Sequence, residues 1–245
     1  MSVNAIGSHV VFGLTRLFHN ARYLVFAMVM PVGFYVLYSA MYGAHHAFAS
    51  TTWGAYFMIS MATFGAIGTT LNFTGTLTAQ DRAKGWVRYL RLTPLGAWAY
   101  IAGQVASAMA ASLVVVALVE CTALVMNGLP HAAHAVLAGL VVWVCSLAFA
   151  AIGLVLAHLL DSTTVNFAIT LVYLSSGFLG GLWTPLKVLP AVFTHIARVL
   201  PSYRMADVGW HLLAGQAAPW QDWAVLAAYI LVFGSLGGVL YARRG

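Results

Sequence analysis

Polar positions interrupt the apolar pattern of this chain at few places, and those places are far apart. Positions 23–80 hold 58 residues without an Asp, Glu, Lys or Arg, and positions 92–119 hold another 28. A helix crosses a bilayer in about 20 apolar residues. The pattern therefore predicts six spans, at about 23–42, 53–78, 98–126, 135–159, 165–183 and 220–241. Pro31 should kink the first. The turn Asn127-Gly128-Leu129-Pro130 closes the third. Asp161-Ser162-Thr163 forms a tight turn in which Asp161 can cap the fifth. The loop at 43–52 carries His45 and His46.

Two segments are amphipathic instead. In 2–22, Ser2, His9, Arg16 and Asn20 share one stripe, and Val10, Val11, Leu14, Leu17 and Phe18 fill a separate arc that only Phe12 breaks. This predicts a helix lying in the membrane interface and ending at Arg22, the other reading being a cytoplasmic extension of span one. Positions 184–219 are broken by Pro185, Pro190, Pro201 and Pro219, with short amphipathic helices expected near 189–200 and 203–214. They read either as an outer re-entrant hairpin or as a surface loop with two interfacial helices; irregular backbone at membrane depth needs protein or water around it.

Composition sharpens the class. Only 7% of residues are charged and 62% are hydrophobic, whereas a soluble domain carries about 25% charge. Apolar runs this long, without strand-like alternation, point to an all-α integral membrane protein rather than a β-barrel. The net charge of +6 then reflects topology rather than nucleic-acid binding. Six spans put Arg16, Arg22, Arg82, Lys84, Arg88, Arg91, Arg243 and Arg244 on one side, against Lys187, Arg198 and Arg204 on the other. That bias predicts cytoplasmic termini. The first apolar run is too long for a signal peptide and reads as a retained span. Cys121 and Cys145 lie in apolar runs and read as packing residues. Trp53, Trp98, Trp183 and Trp220 at span ends fit an interfacial belt.

Chemistry-bearing residues are sparse. There is no phosphate-binding G-x-x-x-x-G-K-[ST], no H-E-x-x-H, no C-x-x-C and no nucleophile elbow, so no catalytic site is expected. His131 and His134 lack a third ligand nearby. Glu120 stands alone as an acid well inside a span, so it should face a cavity, a partner or water; Arg198 or Arg204 could pair with it. Asp222 sits at the outer lip of span six. Gly65, Gly68 and Gly75, with Gly177, Gly180 and Gly181, would let helices approach closely.

The densest signal is a charged knot, Asp81, Arg82, Lys84, Arg88 and Arg91. As one helix, it places Asp81, Lys84, Arg88 and Arg91 on a stripe facing the cytosol and Ala83, Trp86 and Leu90 opposite. Gly85 lies within it and Thr93-Pro94 stops it. Positive-inside bias explains its basic residues but not this shape.

These residues resemble the permease subunits of ABC-2 type ABC transporters over nearly the whole length. Gln80-Asp81-Arg82-Ala83-Lys84-Gly85, running on to Leu90-Arg91-Leu92-Thr93-Pro94, is similar to the family's loop between spans two and three, with Asp81 where the family usually has Glu. Gly181-Leu182-Trp183-Thr184-Pro185, Leu189-Pro190 and Leu200-Pro201-Ser202-Tyr203 resemble its outer re-entrant segment. The resemblance implies one transmembrane domain over 1–245, with an interfacial helix at 1–22, a coupling helix at 79–95 and an extracytoplasmic segment at 184–219. It implies a coupling role for Asp81, Arg82, Lys84, Gly85, Arg88, Arg91, Thr93 and Pro94, docked on a separate cytoplasmic ATPase dimer that carries ATP and Mg. The chain itself needs no cofactor and binds no nucleic acid. A second permease subunit, identical or a paralogue, would face it in the lipid bilayer of the cell membrane through spans two and five. The transport pathway is expected at Glu120, Gly177, Gly181, Pro185, Pro201 and Tyr203, and the cargo is hydrophobic or amphipathic. The alternatives are a proton-coupled secondary transporter using Glu120 or a histidine, and a membrane enzyme with histidine-bound metal or haem. The first lacks an internal repeat and the second lacks histidines that pair across the bundle.

Overall fold

The computed structural model describes residues 28–48, 51–85, 97–128 and 132–244. The expected interfacial helix, the start of span one, and Arg88, Arg91, Thr93 and Pro94 lie outside the described residues. Helix α1, Met30–Tyr42, carries Pro31 at its start, and Met28 and Val29 before it wind in wide π turns. A proline in a helix's first turn loses no needed N–H; the earlier part of span one, against which the expected kink would be seen, lies outside the described residues. The loop that follows departs from all-helical structure. Strands β1, Ala47–Phe48, and β2, Thr51–Thr52, pair antiparallel.

Span two is the central element. It runs as α2, Trp53–Leu71, a π-helical segment Asn72–Leu77, and α3, Thr78–Ala83. Thr52 caps it by accepting from the Ala55 N–H at 3.3 Å. The hydroxyls of Thr69, Thr70 and Thr74 donate to the carbonyls four residues earlier at 2.8, 2.9 and 2.8 Å. Such bonds compete with the helix ladder and bend it, and the π segment begins in the same turns. Nearly all of span two is buried inside the chain. Two copies were expected to meet partly through span two; its enclosure leaves little of it free for that. Span five keeps most of its surface open.

Around it stand α4, Ala97–Asn127, then α5, Ala132–Cys145, and α6, Leu147–Leu159. The last two form one apolar path of 28 residues, interrupted at Ser146, whose hydroxyl donates to the Trp143 carbonyl at 2.6 Å. Helix α7, Ser162–Leu179, starts as expected: the Asp161 carboxylate accepts from the N–H groups of Thr163 and Thr164, each at 2.9 Å. The Thr164 hydroxyl, which donates to the other carboxylate oxygen at 2.6 Å, and then these backbone bonds favour the charged form and hold this carboxyl below its ordinary range. After a 3-10 turn, Leu186–Val188, come α8, Ala191–Ala197, α9, Pro201–Leu213, and α10, Trp220–Arg244. Among the described residues, five helices are long and apolar enough to cross a membrane.

Close approach shapes the centre. A Cβ added at Gly153 of α6 would lie 2.2 Å from Thr74 Oγ1 and 3.1 Å from the Gly75 amide nitrogen. Gly153→Ala should therefore push α6 off span two at a cost of about 1–3 kcal/mol. Thermal unfolding of the detergent-solubilised protein should show a lower Tm; an unchanged Tm would mean the contact is not close.

Candidate functional site

At the charged end of the bundle, Asp81 and Arg82 follow the last apolar turn of span two. Asp81 is buried. Its Oδ2 accepts from the Tyr100 hydroxyl at 3.3 Å and from Gln104 Nε2 at 3.2 Å, both on α4. Gln104 Nε2 also lies 2.9 Å from the Tyr100 hydroxyl. The Arg82 guanidinium crosses to α6 and donates to the Ala157 carbonyl. A helix's last carbonyls have no partner of their own, and a cation there also suits the helix dipole. Tyr241 of α10 joins the group, with its ring 6.3 Å from Tyr100 and edge-on to His158 at 5.5 Å.

This corrects the expected charged stripe. Helix α3 ends at Ala83, and Gly85 adopts a positive φ of 73° while its N–H bonds to the Arg82 carbonyl at 3.0 Å. Glycine at that position is a helix stop. The sequence wheel ran a single helix through this break. Asp81 belongs to the end of span two and faces inward, whereas Lys84 is exposed.

The residues expected on the pathway fall in three places. Glu120 lies against Gly139, where an added Cβ would sit 1.7 Å from its Oε1, and that oxygen is buried without a donor. An otherwise apolar cavity of about 290 Å³ opens beside it between α4 and α5. Arg204 is not its partner: its Nη1 meets Asp222 Oδ1 at 2.5 Å, and its Nε donates to the Arg198 carbonyl at 2.6 Å. Gly177 packs against the Trp183 indole, where a Cβ would come within 2.7 Å. Gly181, at φ 70°, terminates α7. Its N–H bonds to the Phe178 carbonyl at 3.2 Å and the Leu182 N–H to the Gly177 carbonyl at 3.1 Å, the paired bonds of a glycine C-cap. Both glycines therefore shape the end of span five. Pro201 is buried at the first turn of α9, where its missing N–H costs nothing.

Pro185 and Tyr203 do line a hollow, at the end of the bundle opposite the charged knot. Its volume is about 460 Å³. Helix α9 forms one wall and inserts against the bundle: a Cβ at Gly209 would lie 2.6 Å from Ile59 and 2.8 Å from Val142. Trp210 stacks on Tyr56 with centroids 4.5 Å apart and donates its indole N–H to the Tyr56 carbonyl at 3.2 Å. The Tyr56 hydroxyl in turn donates to the Gly181 carbonyl at 3.1 Å. Asp207 also lines the hollow, and sequence reading passed over it. The available signal was that it is one of only five acids in the chain. Burial, then the neighbouring Asp222 carboxylate, raises its carboxyl above the ordinary range.

Several apolar helices arranged around a buried central span, with a polar tie at one end, make up a multi-pass membrane protein. The chain belongs to the ABC-2 type transporter family, whose model matches residues 8–209. It is also similar to a Bacillus subtilis (strain 168) protein described as "Putative transport permease YvfS", with 24% identity over 243 residues, 99% of this chain and 98% of that one. That family's members are membrane transport subunits rather than catalytic ones and normally work with an ATPase subunit. Family membership gives no support to the proton-coupled reading of Glu120.

Proposed function

We propose that this chain is the permease of an ATP-driven exporter, moving a hydrophobic or amphipathic cargo out of the cytoplasm or the inner leaflet. It sits in the cell's cytoplasmic membrane with six spans, an interfacial N-terminal helix and both termini in the cytoplasm. A separate ATPase dimer supplies ATP and Mg, and a second permease subunit completes the pore.

The observation that carries the reading is the tie at the end of span two. Asp81 and Arg82 are consecutive, yet one holds α4 and the other holds the end of α6. A push on the segment that follows is thereby delivered to spans two, three and four together. In this reading Lys84, Arg88, Arg91, Thr93 and Pro94 face the ATPase, Gly85 is the joint, and Asp81 and Arg82 transmit inside the permease.

The outer segment reads as a re-entrant hairpin that limits the exit. Helix α9 contacts Ile59 and Val142. At 1.5 Å of rise per residue these lie about 9 and about 15 Å inside the starts of α2 and α5.

Inverted vesicles holding the chain and its ATPase should accumulate fluorescent amphiphiles on addition of ATP, and vanadate should stop it. Accumulation driven by a proton gradient alone, without ATP, would refute the reading.

A further inference from the structure

We infer that the hollow beside α9 is a binding site for an organic cation, an amine or quaternary ammonium group seated at Asp207 with its apolar part against Tyr56, Trp210 and Phe48. The walls supply what such a group needs. Phe48 meets Tyr56 edge-to-face at 4.9 Å, Tyr56 stacks on Trp210 at 4.5 Å, and Tyr203 meets Trp210 at 6.1 Å. Aromatic faces attract cations through the ring quadrupole, more strongly where water is excluded. The volume of about 460 Å³ lies in the range of small-molecule sites.

The charges fit the same occupant. Arg204 is committed to Asp222, which is wholly buried. The second Asp222 oxygen has no donor, and Asp207 is close enough to hydrogen-bond to Asp222. Burial, and then the Asp222 carboxylate, disfavour charge on Asp207. A bound cation offsets both penalties and leaves Asp207 charged and paired. The other groups facing Asp207 are Tyr203 and His211, whose Nδ1 lies 3.7 Å from Asp207 Oδ1. Lys187 is at the rim, 5.9 Å from the Phe48 ring centroid; it is exposed and competes with an incoming cation. A metal ion fits less well, because among the described residues no three His, Cys, Asp or Glu side chains converge as a metal site requires.

Binding needs no ATPase, so the test stands apart from the transport assay. The purified permease in detergent is titrated with choline and with its neutral tert-butyl isostere, followed by calorimetry and by tryptophan fluorescence. Choline should bind and the isostere should bind at least about tenfold more weakly, since hydrogen bonds and contacts to a charge are worth about that much or more. Asp207→Asn, checked for an unaltered elution profile, should weaken choline by a similar factor. Lys187→Gln, an exposed change that leaves the fold alone, should strengthen it. Wild-type affinity should fall as the pH drops through about 6, where Asp207 takes up its proton. Equal binding of choline and isostere, indifference to Asp207→Asn, or loss of binding in Lys187→Gln would each overturn the proposal. Nanodiscs of phosphatidylglycerol, with and without phosphatidylethanolamine, identify the source: competition by the latter assigns the site to a lipid headgroup, and none assigns it to a soluble amine.

Discussion

Arg204→Ala should lower the stability of the folded chain by about 3–5 kcal/mol, the cost of stripping one partner from a buried ion pair. The Asp222 side chain has no exposed surface, and Arg204 Nη1 at 2.5 Å is its hydrogen-bond donor. Without the guanidinium, Asp222 is left buried beside a second carboxyl, Asp207. The pair also joins α9 to the first turn of α10, so its loss should free the hairpin from span six. Arg204→Met combined with Asp222→Leu removes both charges and keeps the volume, and should recover most of the loss. Thermal unfolding in detergent, run as a double-mutant cycle, measures this. An Arg204→Ala protein as stable as the wild type would show that the pair carries no weight.

Asp81→Ala with Arg82→Ala should leave ATP hydrolysis by the complex running while abolishing transport. The side chains removed are the links from the end of span two to α4 and to α6. Asp81→Ala leaves Gln104 and the Tyr100 hydroxyl without their shared acceptor, at about 1–3 kcal/mol for the buried donors. Arg82→Ala returns the Ala157 carbonyl to the unpaired state of a bare helix end. The variant should therefore still fold, somewhat weakened, with its spans no longer moving together. Asp81→Asn alone keeps an acceptor oxygen and should retain part of the activity. Full transport by the double variant in vesicles, at wild-type expression, would remove Asp81 and Arg82 from the transmission path.

Spans two to six were legible because charge is nearly absent from them. Boundaries at α4, α7 and α10 fall within a few residues of those expected. Asp161 caps span five as its local chemistry predicts. The break at Ser146 carried no signal, since serine sits comfortably inside a helix. Asp81 was placed on the wrong face because a wheel assumes one continuous helix, and only the backbone reveals that Gly85 ends it. The Arg204–Asp222 pair and the Asp207 hollow were illegible for another reason. The pair joins α9 to α10 across 18 positions, and the hollow depends on α9 folding back against α2, which brings Trp210 to Tyr56 across 154 positions of chain. No local pattern encodes that approach. Gly177 and Gly181 end span five and admit Trp183, contacts that their motif did not reveal.

The central claim is that this membrane chain works only with a separate ATPase. Affinity purification of the tagged chain in mild detergent tests it most directly. The account predicts that an ATP-binding protein copurifies in equal amount and confers vanadate-sensitive ATP hydrolysis. A chain that purifies alone, and that moves amphiphiles across vesicles depleted of ATP, would contradict it.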